Sequence, residues 1–315
     1  ISIVFLILYG LIHKVKFTDL QESMIQSVTT SMGAIYLFFF IGILISVLMM
    51  SGAIPTLMYY GLMIISSKTF YLSTFCITAI IGISIGSSLT TVATLGVAMM
   101  GLSHAFGLNS AITAGAIVSG AFFGDKMSPL SDTTGIAASI VGVDLFEHIK
   151  NMMYTTIPAF VISAITFSVL SPWKEVGNLE SVAQFQTDIL STGLVNGYAL
   201  LPFVLLLVFS IFKIPAIVSI ILTSIASLLL AQIQTAYSFQ EIGQILFAGF
   251  SKEGVPESIA SLIQRGGIQS MFFTITIVIL ALSLGGLLFG LGIIPTLLES
   301  IAHLLVSPSR ATICV

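Results

Sequence analysis

Residues 120–135, GAFFGDKMSPLSDTTG, bring two carboxylates, one ammonium and four hydroxyls together in a chain that offers little other chemistry. Asp125, Lys126 and Asp132 come after residues 69–124, fifty-six positions without a single Asp, Glu, Lys or Arg, and another apolar run follows them. Ser128, Ser131, Thr133 and Thr134 surround the two carboxylates with hydroxyl oxygens, and Pro129 between them breaks a helix, freeing backbone carbonyls. Carboxylate, carbonyl and hydroxyl oxygens hold hard cations such as Na⁺. On an unbroken helix Asp125 and Asp132 share one face, about 10 Å apart along the axis, and a break at Pro129 brings them closer. Burial and a second carboxylate raise the proton affinity of such a group, whereas a lysine or a bound cation lowers it.

A carboxylate in that balance trades a proton for a metal ion near neutral pH. The competing reading is a solvated loop in which Asp132 caps a helix beginning at Thr133. Phe122, Phe123, Met127 and Leu130 keep the segment apolar and argue against it. An ionisable group inside a membrane segment marks an ion or proton path.

The surroundings of this segment belong to a membrane. The chain is 57% hydrophobic and 7% charged, with a mean hydropathy of +1.12. A soluble domain carries about 25% charged residues. Uncharged runs cover residues 24–67, 69–124, 151–173, 189–212, 214–240 and 266–298, each longer than the ~20 residues a spanning helix needs. The short alternating segments of a membrane barrel are absent from the sequence. The fold class is therefore all-α, a polytopic transmembrane helical bundle embedded in a lipid bilayer. No basic cluster suggests nucleic acid, and Cys76 and Cys314 sit in apolar context as core residues. No cofactor is expected.

Along the chain, residues 1–12 form the tail of a span, and VDLFEHIKNMM (143–153) reads as an interfacial amphipathic helix ahead of a span at 155–170. There Asp144 and Glu147 resemble a capping box, and Glu147 and His148 read as polar-face residues in solvent or headgroups, with a pH sensor as the alternative. His104 reads as a turn residue. Residues 86–96, GSSLTTVATLG, offer Ser87, Ser88, Thr90, Thr91 and Thr94 either as ligands on a re-entrant segment or as small residues for close helix packing. Both readings stand.

The sequence also repeats itself. FTDLQESMI (17–25) is echoed by FQEIGQILF (239–247), IQS (25–27) returns at 268–270, and GAIPTLM (52–58) returns as GIIPTLL (292–298). Three echoes in the same order predict two transporter halves, residues 1–171 and 193–315, joined by a polar connector at 172–192. Interrupted helices in duplicated halves characterise secondary transporters. The chain opens inside an apolar run without an initiator Met and ends a few residues into another, which predicts further spans on either side.

SGAFFGDKMSPLSDTT (119–134) resembles the signature of the NhaC-type sodium/proton antiporters, within the ion transporter superfamily. SGAIPTLMYYGL (51–62), DLFEHIKNMMYTTIPA (144–159) and GGIQSM (266–271) resemble the same family in the same order. The resemblance implies Na⁺/H⁺ exchange by alternating access in a bacterial inner membrane, an inverted relation between the halves, and Asp125 and Asp132 in the ion path. The family includes malate/lactate carriers coupled to Na⁺ and H⁺, so malate or lactate as co-substrate stays open, as does a homo-oligomer. Two other classes compete poorly. An intramembrane aspartyl protease uses G-x-G-D, where this chain has Phe122-Phe123-Gly124-Asp125, and no H-E-x-x-H zinc motif occurs. A channel repeats its filter, whereas the acidic motif here occurs once.

Overall fold

With so few charges, internal hydrogen bonding must satisfy the backbone, and helices do this within one segment. A computed structural model of the chain describes residues 1–128, 131, 133–134, 137–138, 143–173, 179–212, 214–256, 259–260 and 263–302. Among the described residues the regular elements are helical, with one isolated bridge between Phe250 and Arg265. In order they are α1 (Ser2–Ile12), α2 (Phe17–Thr30), α3 (Met32–Met50), α4 (Ala53–Ile64) and α5 (Phe70–Ile85). A continuous helical run follows, made of α6 (Ser88–Thr91), a π-turn at Val92–Gly96 and α7 (Val97–Ala105), and then α8 (Ser110–Met127). After these come α9 (Leu145–Leu170), α10 (Leu179–Ser191), α11 (Leu201–Ile211), α12 (Ala216–Gln234), α13 (Phe239–Ala248), α14 (Ile268–Gly290) and α15 (Ile293–Ala302).

Among the described residues α9, Ile217–Gln234 and α14 are each long and apolar enough to cross a bilayer, and α4 with Ser67–Ile83 forms a pair bent by 97°. The chain packs as two units. One joins Ile1–Phe39 to the chain from Met271 onward, around Leu6, Leu20 and Leu287. The other is Phe40–Ser270 and contains the acidic segment.

Two expectations change in detail. VDLFEHIKNMM is not a separate interfacial helix, because its residues from Leu145 are the first turns of α9. Nothing between Met153 and Thr155 stops the helix, and Pro158 is accommodated inside it, as membrane helices allow. The Asp144 carboxylate caps it by accepting from the N–H groups of Phe146 (2.9 Å) and Glu147 (3.2 Å). The uncharged stretch 69–124 is divided among three helical segments, α5, the run 88–105 and α8.

The repeated IPTL motif has the same local backbone in both copies. Gly52 (φ 75°) and Gly292 (φ 71°) each take the left-handed conformation open to glycine, and each carbonyl receives the N–H four residues on, from Thr56 and Thr296.

Candidate functional site

Glycine determines how α5 and α8 meet. A methyl group at Gly124 would stand 2.5 Å from the Ala79 carbonyl oxygen and 2.6 Å from Gly82 Cα, so backbone meets backbone there. Gly120 faces the Phe75 carbonyl and the Thr78 hydroxyl in the same way. Contacts run in order from Phe75–Gly120 through Ala79–Gly124 to Ile83–Ser128, so the two helices are parallel and end level with each other. Gly86 (φ 69°) and extended Ser87 then reverse the chain. The returning run is antiparallel to α5, with Thr74 against Met99 (3.9 Å) and the Phe70 ring 5.7 Å from that of Phe106. Two helix C-termini and one N-terminus therefore converge at residues 83–88 and 125–131.

The depth of this junction follows from α9, whose Phe160 ring lies 4.2 Å from Phe123 and 4.8 Å from Phe75. Past Lys150, the rest of α9 is uncharged and about 30 Å long, the thickness of a hydrocarbon core. Lys126 stands level with Thr155 and Thr156, about 8 Å inward of Lys150. The junction packs beside the uncharged stretch of α9.

Asp125, in the last turn of α8, is half-buried there. Its Oδ2 accepts the Ser88 hydroxyl at 2.8 Å, and its Oδ1 accepts the Ser131 hydroxyl at 2.6 Å. Since Ser131 gives its one proton to the carboxylate, the Thr133 hydroxyl is the donor in their 2.9 Å contact. Ser88 and Ser131 are 5% and 3% exposed, so both bonds form away from water. Among the described residues no cation pairs with Asp125. Lys126, the neighbour expected to tune it, is turned about 100° round the helix and lines a crevice against α9 instead.

The other sequence-predicted residues divide. Ser128 leaves the helix in extended conformation (φ −83°, ψ 127°), as Pro129 foretold, and is fully buried. Its hydroxyl donates to the Ile83 carbonyl at 2.7 Å and ties the ends of α5 and α8 together. Thr134 is buried, donating to the Lys126 carbonyl at 3.4 Å, and its N–H reaches Ser131 Oγ at 3.4 Å. Pro129 and Asp132 lie outside the described residues.

In the segment 86–96, Ser87 caps α6, its hydroxyl accepting from the Thr90 N–H and lying 3.0 Å from Thr90 Oγ1. Thr91 bonds the Ser87 carbonyl and Thr94 the Thr90 carbonyl, both at 2.8 Å. Ser88 differs because it is the first helical residue. The reversal at Gly86–Ser87 denies it a carbonyl one turn back, so its hydroxyl reaches across to Asp125. His104 is exposed in the last turn of α7.

Two further features are barely signalled by the residue pattern. Asp188, assigned to the polar connector, is 7% exposed in α10 and accepts from Gln184 Nε2 at 2.7 Å. The apolar spacing of Val182, Phe185 and Ile189 was the available signal for that helix. The interruption at Gly52 is closed by side chains and distant backbone. Thr56 Oγ1 donates to the Asn196 carbonyl (3.3 Å) and accepts its N–H (3.1 Å), and Gln234 Nε2 donates to the Ser51 carbonyl (3.0 Å).

Comparison with known proteins agrees with the resemblance. The model of the Na⁺/H⁺ antiporter family matches residues 1–134 and 120–315. The Na(+)/H(+) antiporter NhaC of Alkalihalophilus pseudofirmus is 40% identical over 95% of this chain and 65% of its own length. NhaC of Bacillus subtilis is 36% identical over 100% of the chain and 71% of its own length. The malate-2H(+)/Na(+)-lactate antiporter of Bacillus subtilis is 32% identical over 95% and 64%. The chain thus spans about two thirds of the length of these relatives. No solved structure matches it. On the family match across its length and these identities, the chain belongs to the Na⁺/H⁺ antiporter family.

Proposed function

We propose that the protein carrying this chain exchanges Na⁺ for H⁺ across the membrane, with Asp125 as the group the two ions share. One observation carries the reading: a carboxylate beside the uncharged stretch of α9 is met by two buried hydroxyls and, among the described residues, by no cation. A half-buried carboxylate inside a membrane protein and without a counter-charge is costly, so it is neutralised by a proton or by a metal ion, and the two compete.

Hydroxyls suit both states because each is a donor and an acceptor. Ser88 and Ser131 donate to the bare carboxylate. When Na⁺ arrives their protons turn away and their lone pairs join the carboxylate as oxygen ligands. When Asp125 is protonated, one of its oxygens becomes a donor, and the hydroxyl facing it rotates to accept. Opening to one side with a proton bound and to the other with Na⁺ bound gives exchange. Thr133, beside Ser131, is the next oxygen in reach, Asp132 is assigned to the ion path on its place in the sequence alone, and the duplicated IPTL segments support two halves that rock about the site. A bacterial inner membrane is the proposed location.

The test is dissipation of a pH gradient in everted vesicles on addition of Na⁺. Asp125→Asn keeps the shape and removes the titratable charge, so exchange is expected to vanish while the protein still reaches the membrane. Wild-type exchange by this variant would remove Asp125 from the mechanism. Coupling to an organic acid is a second reading, favoured by the similarity to the malate-2H(+)/Na(+)-lactate antiporter.

A further inference from the structure

Helix α12 is polar on the side it buries. Its outward face is Val218, Leu222, Ile225, Leu229 and Ile233, all exposed, as contact with lipid chains requires. The opposite face carries Ser219, Thr223, Ser224 and Ser227, all buried, Thr223 and Ser227 fully so. Small residues also serve close helix packing, and two of these four behave as packing residues do. Ser227 donates to the Thr223 carbonyl at 2.8 Å and Ser219 to that of Ile214 at 3.2 Å.

Thr223 and Ser224 behave differently. Inside a helix a hydroxyl has the carbonyl four residues back within reach, and Thr78, Thr91 and Thr94 all take it. The hydroxyls of Thr223 and Ser224 do not, and among the described residues neither has any hydrogen-bond partner. The neighbouring helix α11 packs against α12, but its residues 201–209 carry no side-chain donor or acceptor. Packing alone would be met by Val at 223, which has nearly the same shape and no hydroxyl to desolvate. Two adjacent buried hydroxyls without partners carry a cost that a polar occupant removes.

Chemistry limits that occupant. Neither oxygen has accessible surface, so no side chain from a further segment reaches them where they stand. Only a species of about the size of a water molecule enters when the helices part slightly. Residues 214–240 contain no charge, so α12 offers neutral oxygens alone, a lining that suits water and does not neutralise a bare cation.

We propose that this face of α12 is one wall of a water path that is closed in this structure, and that Thr223 and Ser224 bond to water when it opens. The proposal rests on the exchange reading, which requires a hydrated route into the bundle, and names an element that lines one.

The experiment reads water rather than transport. Thr223→Cys, Ser224→Cys, Leu222→Cys and Ile225→Cys are made singly in a cysteine-free form of the full-length protein, with Cys76→Ala and Cys314→Ala among its replacements. Right-side-out and everted vesicles are treated with trimethylammonioethyl methanethiosulfonate, with and without Na⁺, and the remaining thiols are mass-tagged after denaturation. The reagent attacks thiolate, which water favours and apolar surroundings suppress. From one side of the membrane, Thr223→Cys and Ser224→Cys are therefore expected to react at least about ten-fold faster than Leu222→Cys and Ile225→Cys. Equal rates on the two faces, or no reaction at Thr223→Cys and Ser224→Cys from either side, overturn the proposal. The labelling needs no ion gradient, so wild-type exchange by Asp125→Asn would end the ion reading and leave the water path standing. Should the inner-face cysteine variants fail to reach the membrane, Thr223→Val decides. It is expected to raise the Tm and to slow exchange by up to about ten-fold, the worth of one hydrogen bond, at an unchanged half-saturating Na⁺ concentration. A wild-type rate there overturns the proposal.

Discussion

The contact between α5 and α8 makes the sharpest demand on the sequence, and Gly124→Ala probes it. The added carbon would stand 2.5 Å from the Ala79 carbonyl oxygen, against about 3.4 Å for an ordinary contact, and the obstruction is backbone that no rotamer change can relieve. The helices must part by about 0.9 Å to admit it. The Ser128–Ile83 bond, now 2.7 Å, then stretches beyond hydrogen-bonding range, and Asp125 moves with α8 relative to Ser88. Overpacking of this kind costs about 1–3 kcal/mol of stability, and a displacement near 1 Å at a functional group costs up to about 100-fold in rate. A ten- to hundred-fold loss of exchange is expected in everted vesicles, with a lowered Tm. Gly115→Ala is the matched control on the same helix, because nothing lies within 4 Å of its added methyl. It is expected to leave exchange unchanged and to stabilise α8 by about 0.5–1 kcal/mol. Wild-type exchange by Gly124→Ala, or equal damage from Gly115→Ala, would refute the argument that backbone contact positions Asp125.

Ser88→Ala removes one charge-assisted hydrogen bond, worth about 1.5–3 kcal/mol, and is expected to raise the Na⁺ concentration for half-maximal exchange about ten- to hundred-fold while sparing the rate at saturation. Thr94→Val deletes a hydroxyl bonded only to its own helix and is expected to leave that concentration unchanged, so matching effects from the two would discredit Ser88 as a ligand. Away from the membrane spans, the Ser238 N–H and hydroxyl hold the Glu241 carboxyl below its ordinary value of 4.5 in the capping box of α13. A depressed folded value contributes stability above 4.5 that is lost as pH falls through it. The Tm deficit of Glu241→Ala is therefore expected at pH 7 and should shrink below pH 4.5; a deficit independent of pH would count against the carboxylate as its source.

Much of the fold was legible because the signals are local. Pro129 announced the end of α8, the Gly-Ser-Ser reversal at 86–88 allowed a re-entrant segment, and the long apolar runs required helices. The first turns of α9 misled because charge at one end of a long helix looks, in sequence, like a separate amphipathic element. The site was legible in composition but not in selection. Five hydroxyls between Ser87 and Thr94 are equivalent as a list, and what singles out Ser88 is its position just after a reversal, where no carbonyl of its own helix is in reach. Lys126 shows the opposite case. Adjacency in sequence suggested that it tunes Asp125, while helical geometry turns neighbours apart and sends it to the crevice against α9.

The two bonds to Asp125 come from different segments, and in the proposed mechanism this links ion binding to movement. Ser88 belongs to the run returning from the reversal, and Ser131 to the chain beyond α8. The contacts at Gly120 and Gly124 lock α5 to α8, so those two helices move together if they move at all. Any rearrangement that opens the site must therefore displace the segment carrying Ser88 or the one carrying Ser131. The first has slack built in, because the π-turn at Val92–Gly96 lies one turn from Ser88 and its longer-range bonds can return to α-helical register by shifting one residue. Such a shift rotates Ser88 away from Asp125 while leaving α5 and α8 in place. The carboxylate then has one hydroxyl where it had two, and under the proposed exchange this would loosen Na⁺ and favour the proton.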